Sequence, residues 1–345
     1  MLSNNMESIG ILYELKPSNS KEPSRRVEAD LHINYLKTLS KDYYLWKKYD
    51  RSLDIGVMLL TSVADIKSIS IYLPFRIKKE DVLDLGAVIR DPNLFCTLFN
   101  EDYTISNVPN HPLFHTVVPT TKQNAFWLYT IEQNTFSIDD SLQLGSLLTI
   151  SIAEIPPCTF VQEIDRQEPG LYFRLRINRL PKNEFYYEDH IANDVFQSAF
   201  SKAEIVDFRV NEMREFDNKV IDDLKNGRYF VEFRKFHFFF IGSSEDEEIV
   251  GSTDCTDTRL LDPKRWASYN SSIRRNRIRY IAYHWSKKAE QNSTFTKCSV
   301  FLKTKYKSVN IEKMLKYCSI VIFLGFIGSV LCAVLMNVFN ILSIG

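Results

Sequence analysis

The sequence predicts an α+β fold: a sheet-rich cytosolic region followed by a single C-terminal transmembrane helix. Residues 317–345 contain no Asp, Glu, Lys or Arg, unlike any other part of the chain. The chain contains 24 Phe and 17 Tyr but only 11 Gly, a composition typical of strands rather than turns. In residues 171–178 apolar and polar side chains alternate at the period of a β-strand.

The uncharged C-terminal stretch is long enough to cross a membrane. At about 1.5 Å per residue it exceeds the ~30 Å hydrocarbon core of a bilayer. The pattern predicts a transmembrane helix over 317–343, preceded by a basic connector over 297–316, and no charge follows the helix. By the positive-inside tendency, we expect a single-pass, tail-anchored protein with a cytosolic N-terminal region, in the inner membrane if the source is bacterial.

The predicted transmembrane helix has two unlike sides. Small and polar residues recur along one side, whereas large aliphatic residues and Phe323 occupy the other. Small residues let helices approach closely in membranes, and an amide forms hydrogen bonds that lipid tails cannot supply. Alternatively, small residues are simply common in membrane helices, and water reaches an Asn near the interface. The favoured interpretation is a homo-oligomer whose helix–helix interface comprises Gly325, Gly328, Ser329, Ala333 and Asn337.

Composition limits the remaining possibilities. The 345 residues are 45% hydrophobic and 25% charged, which is enough apolar material for one large or two medium domains. A formal net charge of zero argues against a surface wholly devoted to nucleic acid. The six cysteines form no C-x-x-C pair, so neither a disulfide framework nor a zinc site is indicated. The predicted divisions are a flexible arm (1–26), an α+β domain or subdomain (27–157), a sheet-rich α+β domain or subdomain (158–296), the connector (297–316) and the transmembrane helix (317–343).

Several local patterns predict individual elements. Spaced apolar residues predict a helix over 27–48, and residues 54–62 and 66–73 are predicted strands. Alternation in 171–177 predicts a strand with one face in the core and one face in water. The apolar phase from Tyr229 to Phe240 shifts by one residue at Arg234–Lys235, which predicts a β-bulge, and the acidic turn 244–248 predicts a hairpin.

No catalytic motif is present, and we expect a non-enzymatic protein without cofactor or metal. Glu232 and Lys235, preceded by Asp222 and Asp223, are similar to a metal-dependent nuclease strand, but the Glu–Lys spacing is one residue too long. Pro112 removes His111 and His115 from a common helix, which disfavours a metal site. The acidic run 245–248 is interpreted as a solvated turn.

A basic and aromatic segment over 264–288 provides the predicted binding site. Cations interleaved with aromatic rings suit a nucleic acid or nucleotide, in which phosphates accompany bases that stack. They also suit anionic lipid headgroups, because the segment ends shortly before the anchor. A purely structural role, with the aromatic residues in the core, remains open. The predicted ligand-binding or lipid-headgroup-binding residues are Arg274, Arg275, Arg277, Arg279, Lys287, Lys288, Tyr280 and Tyr283.

The leading functional hypothesis is a membrane effector. A cytosolic domain would bind a signal or partner, and the self-associating transmembrane helix would perturb the membrane. In layout alone, the chain is similar to membrane effectors of bacterial antiviral systems, in which a sensing domain is fused to transmembrane helices. The alternative is a passive adaptor that docks a cytosolic protein or ribonucleoprotein at the membrane, and an anchored nuclease is a third, less favoured hypothesis.

Overall fold

The computed structural model describes most of the chain. The described residues are 8–17, 26–40, 49–60, 63–99, 101–120, 125–152, 169–190, 201–246, 248–251, 255–275, 278–307 and 311–342.

These ranges are rich in strands. The helices are mostly short, except for the last one. The strands are β1 (Gly10–Leu15), β2 (Glu28–Leu39), β3 (Tyr49–Leu59), β4 (Ile66–Leu73), β5 (Val82–Asp84), β6 (Tyr103–Asn107), β7 (Phe114–Pro119), β8 (Phe126–Tyr129), β9 (Phe136–Asp139), β10 (Ser146–Ser151), β11 (Gly170–Asn178), β12 (Tyr187–His190), β13 (Ser201–Val210), β14 (Tyr229–Phe230), β15 (Glu232–Ser243), β16 (Glu248–Gly251), β17 (Asp257–Leu260), β18 (Tyr280–Lys288) and β19 (Cys298–Lys307). The helices are α1 (Gly86–Ile89), α2 (Pro92–Phe99), α3 (Asn218–Lys225), α4 (Pro263–Trp266), α5 (Ser271–Arg275) and α6 (Ile311–Leu342), with single 3-10 turns at Lys79–Asp81 and Met213–Glu215.

The central sheet has the order β17-β18-β15-β2-β3-β11-β8-β7-β6, with β5 beside β11. Strands β2 and β15 are parallel, as are β8 and β11, whereas the other neighbours are antiparallel. The long pairs β2–β3 and β3–β11 form its middle. Strands on both sides of the predicted boundary at residue 157 therefore share one sheet.

Two smaller sheets complete the body. The second sheet has the order β14-β1-β4-β10-β9, and the third has the order β12-β13-β19-β16. One face of the central sheet packs on both of them around a shared apolar core. The other face is covered by α1, α2, α4 and α5. Helix α3 covers the outer face of the second sheet through Val220 and Leu224.

Local sequence signals explain several boundaries. Asp217 caps α3 by accepting a hydrogen bond from Lys219 N, and Gly227, with φ +71°, follows its end. Asp262 caps α4 in the same way, with Pro263 in its first turn. In β15 the register with β2 shifts between Phe233 and Lys235, which confirms the predicted bulge at Arg234.

Four sequence-based expectations need correction. The expected flexible arm contains β1, whose Ile11 and Leu12 are fully buried between β4 and β14. The expected helix over 27–48 is strand β2 in its first part, and residues 41–48 lie outside the described residues. The expected hairpin does not form, because β15 pairs with β18 while β16 pairs with β19. Half of the expected basic connector is strand β19, and residues 311–316 belong to α6.

Candidate functional site

The C-terminal helix α6 is the most exposed apolar element of the structure. Residues Met314–Met336 are long and apolar enough to span a membrane, and none of this stretch is buried against the body. The helix begins at Ile311, six residues before the predicted start, so that Lys313 and Lys316 lie in its first turns. The chain therefore has a C-terminal membrane-span candidate that its own folded region does not cover.

The predicted helix–helix interface lies within α6. Gly325, Gly328, Ser329 and Ala333 are exposed, and a Cβ built on either glycine meets no atom within 4 Å in the described structure. Ser329 Oγ donates a hydrogen bond to the Gly325 carbonyl at 3.0 Å, so its hydroxyl is satisfied within the helix. Asn337 belongs to the helix, but its side chain lies outside the described residues. The interface remains a prediction.

The basic and aromatic segment does not form one surface. Tyr280 is buried beneath the helical cover, where its hydroxyl accepts a hydrogen bond from Leu39 N at 3.1 Å. Tyr283 lies on the opposite face of β18, against the core shared by the three sheets. Trp266, Tyr269 and Trp285 are also buried. These aromatic rings are core residues, as the structural alternative expected.

The cations of the same segment are spread along three elements. Arg279 precedes β18 and is exposed, and Lys287 and Lys288 are exposed at the other end of that strand. Lys287 Nζ lies 4.5 Å from the centre of the Phe295 ring. Arg274 and Arg275 belong to α5, but their side chains, and all of Arg277, lie outside the described residues. A role for these cations in ligand or lipid binding remains a prediction.

A small set of charged side chains is instead buried on both faces of β2 and β3. On the face toward the third sheet, Arg51 donates two hydrogen bonds to Glu204 Oε2, from Nε at 2.8 Å and from Nη2 at 2.5 Å. Arg51 also donates to Glu188 at 2.8 Å, and Tyr35 donates to Glu204 Oε1 at 2.6 Å. Every one of these residues except Glu188, at the edge, is at most 9% exposed. We call this group the inter-sheet cluster, because β2 and β3 belong to the central sheet and Glu188 and Glu204 to the third.

Lysines complete the inter-sheet cluster. Lys182 and Lys202 donate to the second oxygen of Glu188 at 2.9 and 3.0 Å. Although burial opposes its charge, hydrogen bonds from Tyr306 and these lysines lower the pKa of Glu188. The fully buried Lys37 lies 3.4 Å from Asp246 and 3.5 Å from the centre of the Tyr306 ring.

The burial of Asp246 contradicts the prediction that the acidic run 245–248 is a solvated turn. Its side chain is only 1% exposed, so this residue of the predicted solvated run is a buried counter-ion. Burial lowers the pKa of Lys37 and raises the pKa of Asp246, so the charge of each depends on the other. Each carboxylate of the inter-sheet cluster thus has at least one cation, and the cluster joins two sheets.

The opposite, helix-covered face of β3 and β11 carries a second buried group. Arg176 holds Asp54 through two parallel bonds, Nε to Oδ1 at 2.6 Å and Nη2 to Oδ2 at 2.9 Å. The Tyr269 hydroxyl also donates to Asp54, and Asn34 donates to that hydroxyl at 3.3 Å. Asp54 is completely buried and Arg176 is 6% exposed.

A second arginine, Arg174, lies two residues earlier on β11. It is 3% exposed, and its Nη1 donates to the Tyr172 hydroxyl at 3.0 Å. Its Nε and Nη2 are inaccessible to solvent and have no hydrogen-bond partner among the described residues. The Tyr172 hydroxyl lies over Gly56, where a Cβ would overlap it. We call Arg174, Arg176, Asp54, Tyr172 and His32 the Arg174 cluster.

Histidines extend the Arg174 cluster toward the edge of the helical cover. His32 is level with Gly56 and Arg174 in the register of β2, β3 and β11. Its ring lies 5.2 Å from that of His237 and 5.5 Å from that of Phe99, and its Nδ1 has no partner among the described residues. Burial, His237 and Arg174 hold the pKa of His32 well below its ordinary value. His32 is therefore neutral at pH 7; its Nδ1 is buried, while another part of the residue is exposed to solvent.

His237 and His284 form the outer pair of this row. The two side chains meet with His237 Nδ1 3.0 Å from His284 Nε2. Burial, together with His284 and Lys235, lowers the pKa of His237 to about 4. Burial also lowers the pKa of His284. A neutral pair of imidazoles can share one proton across this contact, with one ring as donor and the other as acceptor.

The nuclease and metal patterns gain no geometric support. Glu232 accepts hydrogen bonds from Arg26 at 2.6 Å and from Thr294 at 2.5 Å, and Lys235 lies 3.5 Å from Asp30. Asp222 and Asp223 are exposed on α3. Within the described residues, no group of three or more His, Cys, Asp or Glu side chains is arranged to hold a metal ion. His115 instead contacts Asn107 Oδ1 through Nδ1 at 3.1 Å.

No protein-family model matches the chain, and no curated protein matches it either.

Proposed function

We propose that the protein is a single-pass membrane effector whose sheet-rich domain binds a signal or partner on the cytosolic side of the membrane. Helix α6 carries this proposal, because Met314–Met336 expose a continuous apolar surface. At 1.5 Å per residue this stretch is about 34 Å long, which matches the ~30 Å hydrocarbon core of a bilayer. A surface of this kind is stable in lipid but costly in water.

The charge distribution supports the cytosolic orientation. Lys313 and Lys316 lie in the first turns of α6, and Lys303 and Lys305 lie on the strand that precedes it, with Lys303 exposed. Each lysine near an anionic leaflet contributes about 1 kcal/mol to membrane attraction. Protease protection in inside-out and right-side-out vesicles tests the orientation. Digestion of the domain only in inside-out vesicles is the expected result.

An effector needs α6 to do more than hold the domain at the membrane. A single helix per chain lines a pore only when several chains assemble, so we propose self-association through Gly325, Gly328, Ser329, Ala333 and Asn337. The test changes Gly325 and Ser329 to Ile and measures the oligomer in detergent by cross-linking. The matched control changes Leu324 and Leu331, on the opposite side, to Ile. An oligomer that survives the first pair of changes as well as the second contradicts the proposed interface.

The passive adaptor is the second candidate, and one replacement separates the two. Substituting Met314–Met336 with an unrelated polyleucine helix of equal length preserves membrane insertion. The effector proposal expects loss of membrane depolarisation, measured with a potential-sensitive dye in cells that express the protein. An adaptor keeps its function after the replacement and leaves the membrane potential unchanged in both versions. Co-purification with a cytosolic protein or ribonucleoprotein from both versions would favour the adaptor.

A further inference from the structure

Within the Arg174 cluster, Arg176 shows how a buried arginine of this face binds a carboxylate, and Arg174 can be compared with it. Arg174 and Arg176 point to the same face of β11, because they are two residues apart on one strand. Arg176 grips the Asp54 carboxylate through the edge formed by Nε and Nη2. In Arg174 the same two atoms have no partner among the described residues. One of two neighbouring, equally buried guanidinium groups therefore has its oxyanion, and the other does not.

Among the described residues, no carboxylate of β2 or β3 forms a hydrogen bond with Arg174. By strand alternation, the acidic residues on this face of the two strands are Glu28, Asp30, Asp50 and Asp54. Asp54 is engaged by Arg176 and Tyr269, and Glu28 by Arg234. Asp30 lies 3.5 Å from Lys235, and although its Oδ1 has no hydrogen-bond partner, it does not bond to Arg174. Asp50 is exposed at the far end of β3. An arginine stays charged at any pH that a protein encounters, so it cannot relieve the cost of burial by losing a proton. A buried cation without an anion is strongly unfavourable.

The surroundings of Arg174 suit a small organic anion better than a protein side chain. The Tyr172 hydroxyl, fixed by Arg174 Nη1, and the neutral His32 offer uncharged hydrogen-bonding groups beside the guanidinium. The Phe99 ring contacts both His32 and Tyr172, with ring centres 5.5 and 5.2 Å apart, and forms an apolar wall from α2. His32 is partly exposed, whereas its Nδ1 and Arg174 Nε and Nη2 are inaccessible to solvent, so these three atoms lie beneath the exposed part of His32.

We propose that the helix-covered face of the central sheet binds a small molecule through a carboxylate or phosphate group, which is held by Nε and Nη2 of Arg174. Two parallel charge-assisted hydrogen bonds would fix the oxyanion, as Arg176 fixes Asp54. His32 and Phe99 would contact the remainder of the molecule. This inference deepens the proposed function, since such a molecule is a candidate for the signal that the domain receives. The binding itself does not depend on membrane activity.

The test measures thermal unfolding of the full-length protein in detergent at pH 7. Sodium phosphate and sodium acetate are titrated separately against sodium chloride of equal ionic strength. We expect phosphate or acetate to raise the Tm by about 3 °C or more beyond chloride, because a ligand that binds only the folded state stabilises it. A larger rise in Tm with phosphate indicates that the bound group is a phosphate, and a larger rise with acetate indicates a carboxylate. Native mass spectrometry of the purified protein then distinguishes a free small molecule from a phosphate carried by a lipid.

Arg174→Met removes the proposed oxyanion contact while keeping an apolar side chain of similar length. The expected result is loss of the anion-dependent rise and of any retained anionic molecule. Arg179→Met, just beyond the end of β11 and exposed, is the matched control and keeps the full rise. If Arg174→Met does not fold, Arg174→Lys replaces it; we expect at least ten-fold weaker anion binding, because an ammonium has no two-donor edge.

Two results would overturn the proposal. One is a wild-type protein whose Tm does not respond to phosphate or acetate and which retains no anion. The other is an equal response in wild type and in the Arg174 variant. Failure of the effector proposal can be distinguished from failure of the anion-binding proposal. If only the effector proposal fails, the cells show no depolarisation, but the detergent-solubilised protein still binds the anion.

Discussion

Strands β2 and β3 bury charge on both faces, but the two faces differ in how that charge is balanced. Toward the third sheet, Arg51 and Lys37 meet Glu204, Glu188 and Asp246. Beneath the helices, Arg176 binds both oxygens of the Asp54 carboxylate, and Arg174 donates its hydrogen bond to the Tyr172 hydroxyl. The inter-sheet cluster thus connects two sheets through paired charges, whereas Arg174 has no carboxylate partner among the residues that the structure describes.

The largest expected effect comes from breaking the balanced face. Arg51→Met leaves Glu204 buried with only a tyrosine donor, and removing one partner of a buried pair costs about 3–5 kcal/mol. Arg174→Met leaves no carboxylate without its cation, so we expect a loss below about 1 kcal/mol or a gain. Urea unfolding of the two variants in chloride buffer provides both values. Equal losses would mean that Arg174 is as much a structural group as Arg51.

Acidification should also weaken the helix-covered face. The pKa of His237 is about 4 in the folded protein against an ordinary 6.5, so the unfolded chain binds more protons between these values. The contribution of neutral His237 to the free energy of unfolding is therefore fully present above pH 6.5. It falls by up to about 3 kcal/mol as the pH drops toward 4. The measurement is urea unfolding across this range, with His237→Gln expected to flatten the curve. A variant with an unchanged slope would contradict this assignment.

The lowered pKa of Glu188 gives the inter-sheet cluster a different pH window. Its ordinary value is 4.5, so its contribution to stability is present above that pH and is lost only at more acidic pH. Glu188→Gln should therefore leave the slope between pH 6.5 and 5 unchanged. A change of slope in that upper window would mean that the two faces titrate together.

A smaller effect is expected from Gly56→Ala. The new methyl group overlaps the Tyr172 hydroxyl, which must leave its position beside Arg174. Overpacking of this kind costs about 1–3 kcal/mol. In a Tyr172→Phe background the same change should cost less, because the hydroxyl is absent. A double-mutant cycle by urea unfolding measures the difference, and perfectly additive losses would contradict the contact.

The smallest effect should come from an exposed pair. Arg214 donates to Glu212 at 3.0 Å, and its side chain is 79% exposed. Surface pairs contribute about 0–1 kcal/mol, so Arg214→Met should change the free energy of unfolding by less than about 0.5 kcal/mol. The same denaturation assay checks it. A loss as large as that of Arg51→Met would show that burial does not separate these ion pairs.

Local patterns in the sequence predicted several parts of the fold. The strand over 66–73 and the bulge at Arg234 depend on neighbouring residues, and the structure contains both. The strand predicted over 54–62 is present as β3, which begins five residues earlier and ends at Leu59. The helix prediction for 27–48 was wrong over Glu28–Leu39, because apolar residues on both faces of a strand that is covered on both sides can also match a helical period. The structure makes Glu28–Leu39 a strand with a sheet on one face and helices on the other.

The candidate binding face was missed for a related reason. Alternating Leu and Arg in β11 predicted a strand with a wet face, yet Arg174 and Arg176 are both buried. The predicted aromatic site residues, by contrast, divide between two faces of β18. The signal that could have drawn attention to β11 is two arginines on one face of an otherwise apolar strand.

The sequence by itself determined that this chain is sheet-rich and that it carries one long apolar helix at its C-terminal end, because composition and local period suffice for both. Only the tertiary structure decided that the arginines of β11 lie inside, that Asp246 is a counter-ion, and that strands from both halves of the chain form one sheet. Burial and charge pairing are set by contacts between residues far apart in sequence. Local patterns therefore cannot reveal that Arg176 pairs with a carboxylate whereas Arg174, in the described part of the chain, does not.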